Sequence, residues 1–367
     1  MNPRSLKIDT WILGAAALLV ATGLLMVFST TAVSSQESHG DSAVMLRHHF
    51  VHVVIGLFAF LACLAFHPQK LYQLAIPLLL LSFALLLLTL IPGIGHVAGG
   101  ARRWLVLGPL RLQPGEIAKV AAIVYFASYI ERHRTKMHTF FSGVVVPLGV
   151  LSLFAAMLLL EPDFGSTVII LAVVFSQLFM VCRLRHMLLV TGGAAAALAT
   201  LVVTSPYRMR RLASFLNPFE DPTASGYQLL QSLIAVGSGG YTGTGLGAGK
   251  QKLFYLPAAH TDFIYAVIAE ELGIVGALAV LALFLVILFR GLRITMRLID
   301  KPYLSSLALG CTLLMVVPAV LNMGVVLGLL PTKGMVLPLV AYGGTAMIVH
   351  LAVLGILLRL SRTEADA

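Results

Sequence analysis

Residues 257 to 273 read Pro-Ala-Ala-His-Thr-Asp-Phe-Ile-Tyr-Ala-Val-Ile-Ala-Glu-Glu-Leu-Gly, which places Asp262, Glu270 and Glu271 within a few turns of an otherwise apolar chain. A carboxylate kept where lipid makes its charge costly is a functional candidate for acid or base chemistry. Elimination narrows the acidic set. Of 15 acidic residues, Asp9, Glu131, Asp300, Glu364 and Asp366 fall on the side of the termini, and Glu37 and Asp41 lie in a Ser-rich polar loop. Glu220 and Asp221 belong to a turn-forming string, Asn217-Pro218-Phe219-Glu220-Asp221-Pro222. Glu116, Glu161, Asp163, Asp262, Glu270 and Glu271 remain.

Each has a plain structural alternative. Glu116 follows Pro114 and precedes Lys119 by three residues, so it suits a helix N-terminus and a pair along one face. Glu161 and Asp163 flank Pro162 and suit a cap on the next helix. Asp262 also opens a helix, but His260 and Thr261 precede it beneath a long basic loop, which favours a functional role over a cap. Glu270 lies a little over two helical turns further on, and Glu271 is rotated from it by about 100°. Glu270 alone is therefore expected near the face of Asp262, with anchoring of a neighbouring helix the default for both.

These residues must be positioned by membrane helices. The chain of 367 residues is 59% hydrophobic and 11% charged, with a mean hydropathy of +0.96, which excludes a water-soluble globular domain. Apolar runs near 10–32, 49–67, 71–91, 115–131, 139–160, 164–182, 187–205, 262–290, 304–328 and 337–360 predict about ten transmembrane helices, hence an all-α polytopic membrane protein. The first run is too long for a signal peptide and is read as a retained helix. Lys and Arg in alternate short connections, including Arg4, Lys7, Lys70, Arg132, Arg134, Lys136, Arg183, Arg185, Arg290 and Arg297, predict both termini in the cytoplasm. Connections 32–48, 92–114, 161–164, 206–261 and 329–336 then face outward, and 206–261 is a large loop between helices 7 and 8.

Topology leaves Arg47, Arg102, Arg103, Arg111, Lys119, Arg208, Arg210, Arg211, Lys250, Lys252 and Lys333 on the outward side. Singly these are snorkelling or headgroup-facing groups; together they suggest an anionic ligand. The net charge of +10 is split across the bilayer with no soluble basic domain, so nucleic-acid binding is excluded. Cys63, Cys182 and Cys311 have no paired spacing, and His48, His49 and His52 have no complementary cluster, so no structural metal is predicted. The glycine-rich run 237–250 fails as a phosphate loop, because Thr244 and Gln251 occupy positions where Walker A needs Gly and Ser or Thr. Its glycines permit positive φ or close backbone approach. Pro331, Pro338 and the Gly343-Gly344 pair suggest either a re-entrant turn or a kinked helix.

Several strings also carry a family likeness: Gly100-Ala101-Arg102-Arg103-Trp104, Gln113-Pro114-Gly115-Glu116-Ile117-Ala118-Lys119, Glu161-Pro162-Asp163-Phe164-Gly165, Gly226-Tyr227-Gln228, Ala259-His260-Thr261-Asp262-Phe263-Ile264 and Ala341-Tyr342-Gly343-Gly344. In type and order, over nearly the whole chain, they resemble the SEDS family (FtsW/RodA/SpoVE) of bacterial cell-wall proteins. Leu330-Pro331-Thr332-Lys333-Gly334 and Tyr255-Leu256-Pro257-Ala258-Ala259-His260 look more like the division branch than the elongation branch. Gly115 and Ala341 depart from it, standing where the family often has Ser.

The resemblance implies one SEDS-type transmembrane domain over 1–367 and a glycosyltransferase polymerising lipid II at the outer face of the cytoplasmic membrane, at the division septum. Asp262 would be the catalytic base. Arg102, Arg103, Glu116, Lys119, Arg208, Arg210, His260, Thr261 and Lys333 would bind substrate, with Glu270, Glu271, Tyr342, Gly343 and Gly344 in support. Undecaprenyl diphosphate would leave, with a divalent cation, Mg or Mn, permitted beside it. A class B penicillin-binding protein and other division proteins would be partners. A lipid II flippase and a division scaffold for a transpeptidase are the alternatives.

Overall fold

The computed structural model describes residues 8–98, 101–108, 110–204, 209, 215, 226–253, 255–331 and 334–362. Every predicted apolar run contains a helix: α1 (Thr10–His39), α2 (Val44–Ala65), α3 (Pro68–Gln73) with α4 (Ala75–Leu90), α5 (Pro114–Arg132), α6 (Val146–Leu160, entered through a π turn at Phe141–Val145), α7 (Phe164–Phe179), α8 (Leu184–Val203), α10 (Ile264–Arg297), α11 (Pro302–Val326) and α12 (Gly344–Ser361). By length and composition α1, α2, the Phe141–Leu160 helix, α10, α11 and α12 can each cross a membrane, and α4 and α7 are shorter apolar helices.

Local chemistry sets the ends. The carboxylate of Asp9 accepts from the amides of Trp11 and Ile12 at 3.1 and 3.2 Å, capping α1, and Gly40 closes that helix at φ 70°. The helix outruns its apolar stretch by nearly two turns, because Ser34 and Ser38 hydroxyls bond back to carbonyls of Thr31 and Ser34 and tolerate the helix.

The main core lies where α10, α11 and α12 meet α1, α2 and α5, and a second core joins α4 to α7. Lipid supplies no hydrophobic drive between helices, so close approach at small residues does much of the packing. At Gly56 an added Cβ would come within 2.5 Å of Leu351, and at Gly355 within 2.4 Å of the Phe60 carbonyl oxygen, so α2 and α12 meet at glycine on both sides. Helix α1 is fastened to α10 twice. Asp9 accepts from Arg290 Nε and Nη2 at 2.8 and 2.6 Å, and Ser29 donates to Glu271 at 2.8 Å.

Four features depart from the expected arrangement. The 92–114 connection contains a small antiparallel sheet, β1 (Gly95–Ala98), β2 (Ala101–Leu107) and β3 (Leu110–Leu112) in that order, within a chain otherwise helical. The 206–261 loop contains a helix of its own, α9 (Tyr227–Gly239), lying on α10. Helix α10 runs to Arg297 but breaks at Gly273, φ 67°, which separates a short buried segment from the long span. The last span begins at Gly344 rather than 337, so described residues up to Tyr342 pass among the helices without helical structure. Leu337, Leu339 and Val340 there are buried, and Leu339 stands at φ 62°. Irregular backbone survives at such depth when protein encloses it.

Candidate active site beside the start of α10

Asp262 sits at the end of a tight turn just before α10. The carbonyl of Ala258, a residue at φ 57°, accepts from the amides of Thr261 and Phe263 at 3.1 and 3.3 Å and from the Thr261 hydroxyl at 3.2 Å. A non-glycine residue in that conformation is held there only by its surroundings. Asn322 of α11 supplies part of them: its Nδ2 donates to the carbonyls of Asp262 at 2.7 Å and Met335 at 2.6 Å. The 334–335 segment therefore lies against Asp262. A Cβ at Gly334 would stand 3.0 Å from Asp262 Oδ2, and one at Gly165 would stand 3.2 Å from Met335 Cγ and 3.7 Å from Asp163 Oδ1. Glycines on both sides let a strand of backbone pass between the two carboxylates. Desolvation raises the Asp262 pKa to about 6, and the Arg103 guanidinium pulls the other way.

Arg103 owes its position to a bulge. The β1–β2 register pairs His96 with Trp104 and Val97 with Arg102, leaving Arg103 as the extra, unpaired residue. A bulge bends the strand and re-aims a side chain. The charge of Arg103 acts on both Asp262 and Glu161, while its buried Nε meets no hydrogen-bond partner among the described residues. Arg102 turns aside. Its stem packs on Gly95 and its Nη1 donates to the Leu90 carbonyl at 3.4 Å.

Glu161 is enclosed at the end of α6, where Thr89 donates to Oε1 and Oε2 has no partner among the described residues. Burial raises its pKa to about 7; the Thr89 bond opposes this, the Asp163 charge adds to it, and Arg103 opposes it. Asp163 caps α7, accepting from the Ser166 amide at 3.1 Å and hydroxyl at 2.8 Å. Gln113 Nε2 reaches Asp163 at 3.4 Å.

Glu116 and Lys119 meet at 2.7 Å within the first turns of α5, with side chains only 5% and 4% exposed. Lys119 is thus engaged and enclosed rather than presented on a surface. His260 accepts at its carbonyl from the Tyr342 amide at 2.9 Å, and the two rings stand edge to face, 5.8 Å apart. Burial lowers the His260 pKa. Gly343 is extended and leads into α12 at Gly344. Arg208, Arg210 and Lys333 lie outside the described residues.

Glu270 and Glu271 both serve the glycine-rich segment, and Glu270 reaches it rather than Asp262. Glu270 accepts from the amides of Lys250 at 2.7 Å and Gln251 at 3.3 Å. Glu271 accepts from the Gly247 amide at 3.0 Å, Lys252 Nζ at 2.6 Å and the Ser29 hydroxyl. The segment presses on α10 so closely that a Cβ at Gly243 would fall 2.1 Å from the Glu271 carbonyl oxygen. It is a fastened cap, not a free tip.

Sequence reasoning passed over three polar residues that build the site. Asn322 is the brace described above. Thr345 accepts from the Gln113 amide at 3.1 Å and donates to the Arg111 carbonyl at 3.0 Å, joining the sheet to α12. Thr89 contacts Glu161. Asn322 carried a readable signal, being the one Asn within an apolar run.

Comparison with known proteins gives the family of the chain. A family model described as a cell cycle protein, FTSW_RODA_SPOVE, matches residues 9–366. A probable peptidoglycan glycosyltransferase FtsW of Nitrosococcus halophilus is 44% identical, the match covering 96% of this chain and 91% of that protein. The protein of the same description in Thioalkalivibrio sulfidiphilus is 43% identical over 98% and 91% of the two chains. Among solved structures, the rod shape determining protein RodA of Thermus thermophilus has a TM-score of 0.74 at 28% identity, covering 100% of both chains. A chain from a structure on the coordination of polymerization and crosslinking by a peptidoglycan synthase complex has a TM-score of 0.79 at 29% identity, covering 98% of this chain and 99% of that one.

Proposed function

The chain belongs to the FtsW/RodA/SpoVE family of cell cycle proteins, and from that premise we propose that it is a peptidoglycan glycosyltransferase polymerising lipid II into glycan strands. It is a multi-pass protein of the bacterial inner membrane. The observation that carries the reading is an enclosed Asp262 on a turn braced by Asn322, within the field of a bulge-borne Arg103.

In the proposed reaction Asp262 accepts the proton of the acceptor GlcNAc 4-hydroxyl as that oxygen attacks the anomeric carbon of the donor MurNAc. The anomeric configuration inverts from α to β, and undecaprenyl diphosphate departs. A pKa of about 6 keeps Asp262 largely ionised at neutral pH yet more basic than an ordinary carboxylate. Arg103 has a second part in this. As Asp262 gains a proton it loses the charge that Arg103 faces, while the leaving diphosphate gains charge. A fixed guanidinium thereby shifts its stabilisation toward the product side at the moment it is needed. Arg208, Arg210 and Lys333 are further candidates for the diphosphate.

The described residues offer no group of three or more His, Cys, Asp or Glu arranged to hold a metal. A divalent cation, Mg or Mn, would be shared between the diphosphate and one or two carboxylates, and no step above passes through it. Termini in the cytoplasm would put Asp262 at the outer face, where lipid II sugars are presented, and action at the septum beside a class B penicillin-binding protein completes the proposal. The test is polymerisation of lipid II in detergent by the full chain with that partner, with and without a chelator. Glycan strands from the wild type and none from Asp262→Ala are expected; absence of polymer from the wild type overturns the reading in favour of a flippase or a scaffold.

A further inference from the structure

Three sequence features take no part in the mechanism above: the His48-His49-His52 group, Tyr342 and the Gly343-Gly344 pair. The fold gathers them. His49, on α2, is fully enclosed at 0% exposure, and neither ring nitrogen meets a hydrogen-bond partner among the described residues. His52, one turn along the same face, bonds back to the His48 backbone. Neutral imidazole carries one N–H and one lone pair, and leaving either buried and unpaired is costly. A buried ring with both nitrogens unpaired points to a water or another exchanging partner beside it.

The rings form a series that ends two residues before the base in the chain. Tyr342 stands 5.6 Å from His49 between centroids and 5.8 Å from His260, whose carbonyl accepts the Tyr342 amide. His260 precedes Asp262 by two residues. Gly344 makes room at the other end, since a Cβ there would come 2.8 Å from His52 Nε2. His48, beside His49 in the chain, is exposed. Two cations face the series, Arg111 acting on Tyr342 and Arg103 acting on Asp262. Their charge disfavours a proton lodging there and favours its passage outward.

We infer that His260, Tyr342 and His49, with water held between their rings, carry away the proton that Asp262 takes from the acceptor hydroxyl. The inference rests on Asp262 being the base. Each transfer leaves Asp262 as the carboxylic acid; its O–H bond breaks, the proton passes to water beside His260 and Tyr342, and one proton leaves past His49 to bulk water at the start of α2, where His48 is exposed. One proton enters from the sugar hydroxyl and one leaves, so the carboxylate is restored without any other reagent. His49 touches no substrate and acts as a positioning and relay residue. An internal exit matters when the mouth is covered by the growing glycan.

The experiment compares wild type, His49→Gln, His49→Ala and Tyr342→Phe, each full-length with the partner transpeptidase, in lipid II polymerisation in H2O and D2O. Loss of a relay slows only proton transfer, so kcat is expected to fall roughly tenfold or more with KM unchanged and a larger solvent isotope effect. Added imidazole is expected to restore part of the His49→Ala rate. Wild-type kcat and isotope effect in His49→Gln overturn the inference, as does a loss with unchanged isotope effect and no rescue. If His49→Ala does not fold, Tyr342→Phe keeps the ring and carries the same expectation. Failure of the base assignment is separately visible as polymer from Asp262→Ala.

Discussion

At the scale of single residues, the site turns on how burial and the Arg103 charge together set the ionisation of Asp262. Because the Asp262 pKa is raised to about 6 and the base must be ionised, polymerisation is expected to fall as pH drops through about 6 rather than near 4. Arg103 lowers that pKa, so Arg103→Gln should move the acid limb of the rate profile to higher pH as well as reduce kcat. A profile that weakens without shifting would separate Arg103 from the base. Gly334→Val tests the same spot sterically: a side chain 3.0 Å from Asp262 Oδ2 should reduce activity sharply while thermal unfolding in detergent changes little. The carboxylate was legible in the sequence because polar groups in lipid are few and can be eliminated one by one. The aim of Arg103 was not, because a bulge depends on the pairing of two strands rather than on any residue type.

At the scale of elements, the apolar runs announced the helices, since roughly 20 apolar residues are needed to cross lipid and few other structures use them. Their ends were harder to read. The Ser-rich end of α1 stays helical through hydroxyl bonds to its own backbone, which hydropathy does not register. The small sheet escaped notice because β1 and β3 span only Gly95–Ala98 and Leu110–Leu112, too short for a period to stand out. Pro331, Pro338 and Gly343 did mark the non-helical passage before α12, but not its dependence on Asn322. Two element-scale predictions follow from buried polar ties. Lys252→Ala leaves Glu271 charged and enclosed without its cation, and breaking such a pair costs about 3–5 kcal/mol, read as a lowered Tm in detergent and earlier proteolysis within 240–253. Asn322→Leu leaves the Met335 and Asp262 carbonyls without this donor, with an expected loss of about 1–3 kcal/mol and a matching fall in activity.

At the scale of the whole molecule, the proposed chemistry needs the Asp262 end of the bundle on the outer side. In spheroplasts, an impermeant thiol reagent should label Thr242→Cys and spare Glu364→Cys; the reverse pattern would overturn the topology. The two fastenings between α1 and α10 carry a further consequence. Asp9 and Ser29 lie about 20 residues apart on one chain segment, as do Arg290 and Glu271 on the other, which is roughly 30 Å of helix. A rod pinned at both ends can neither slide nor scissor against its neighbour without breaking a pin. Any sliding or scissoring of α1 against α10 therefore breaks a polar tie at one pin or the other.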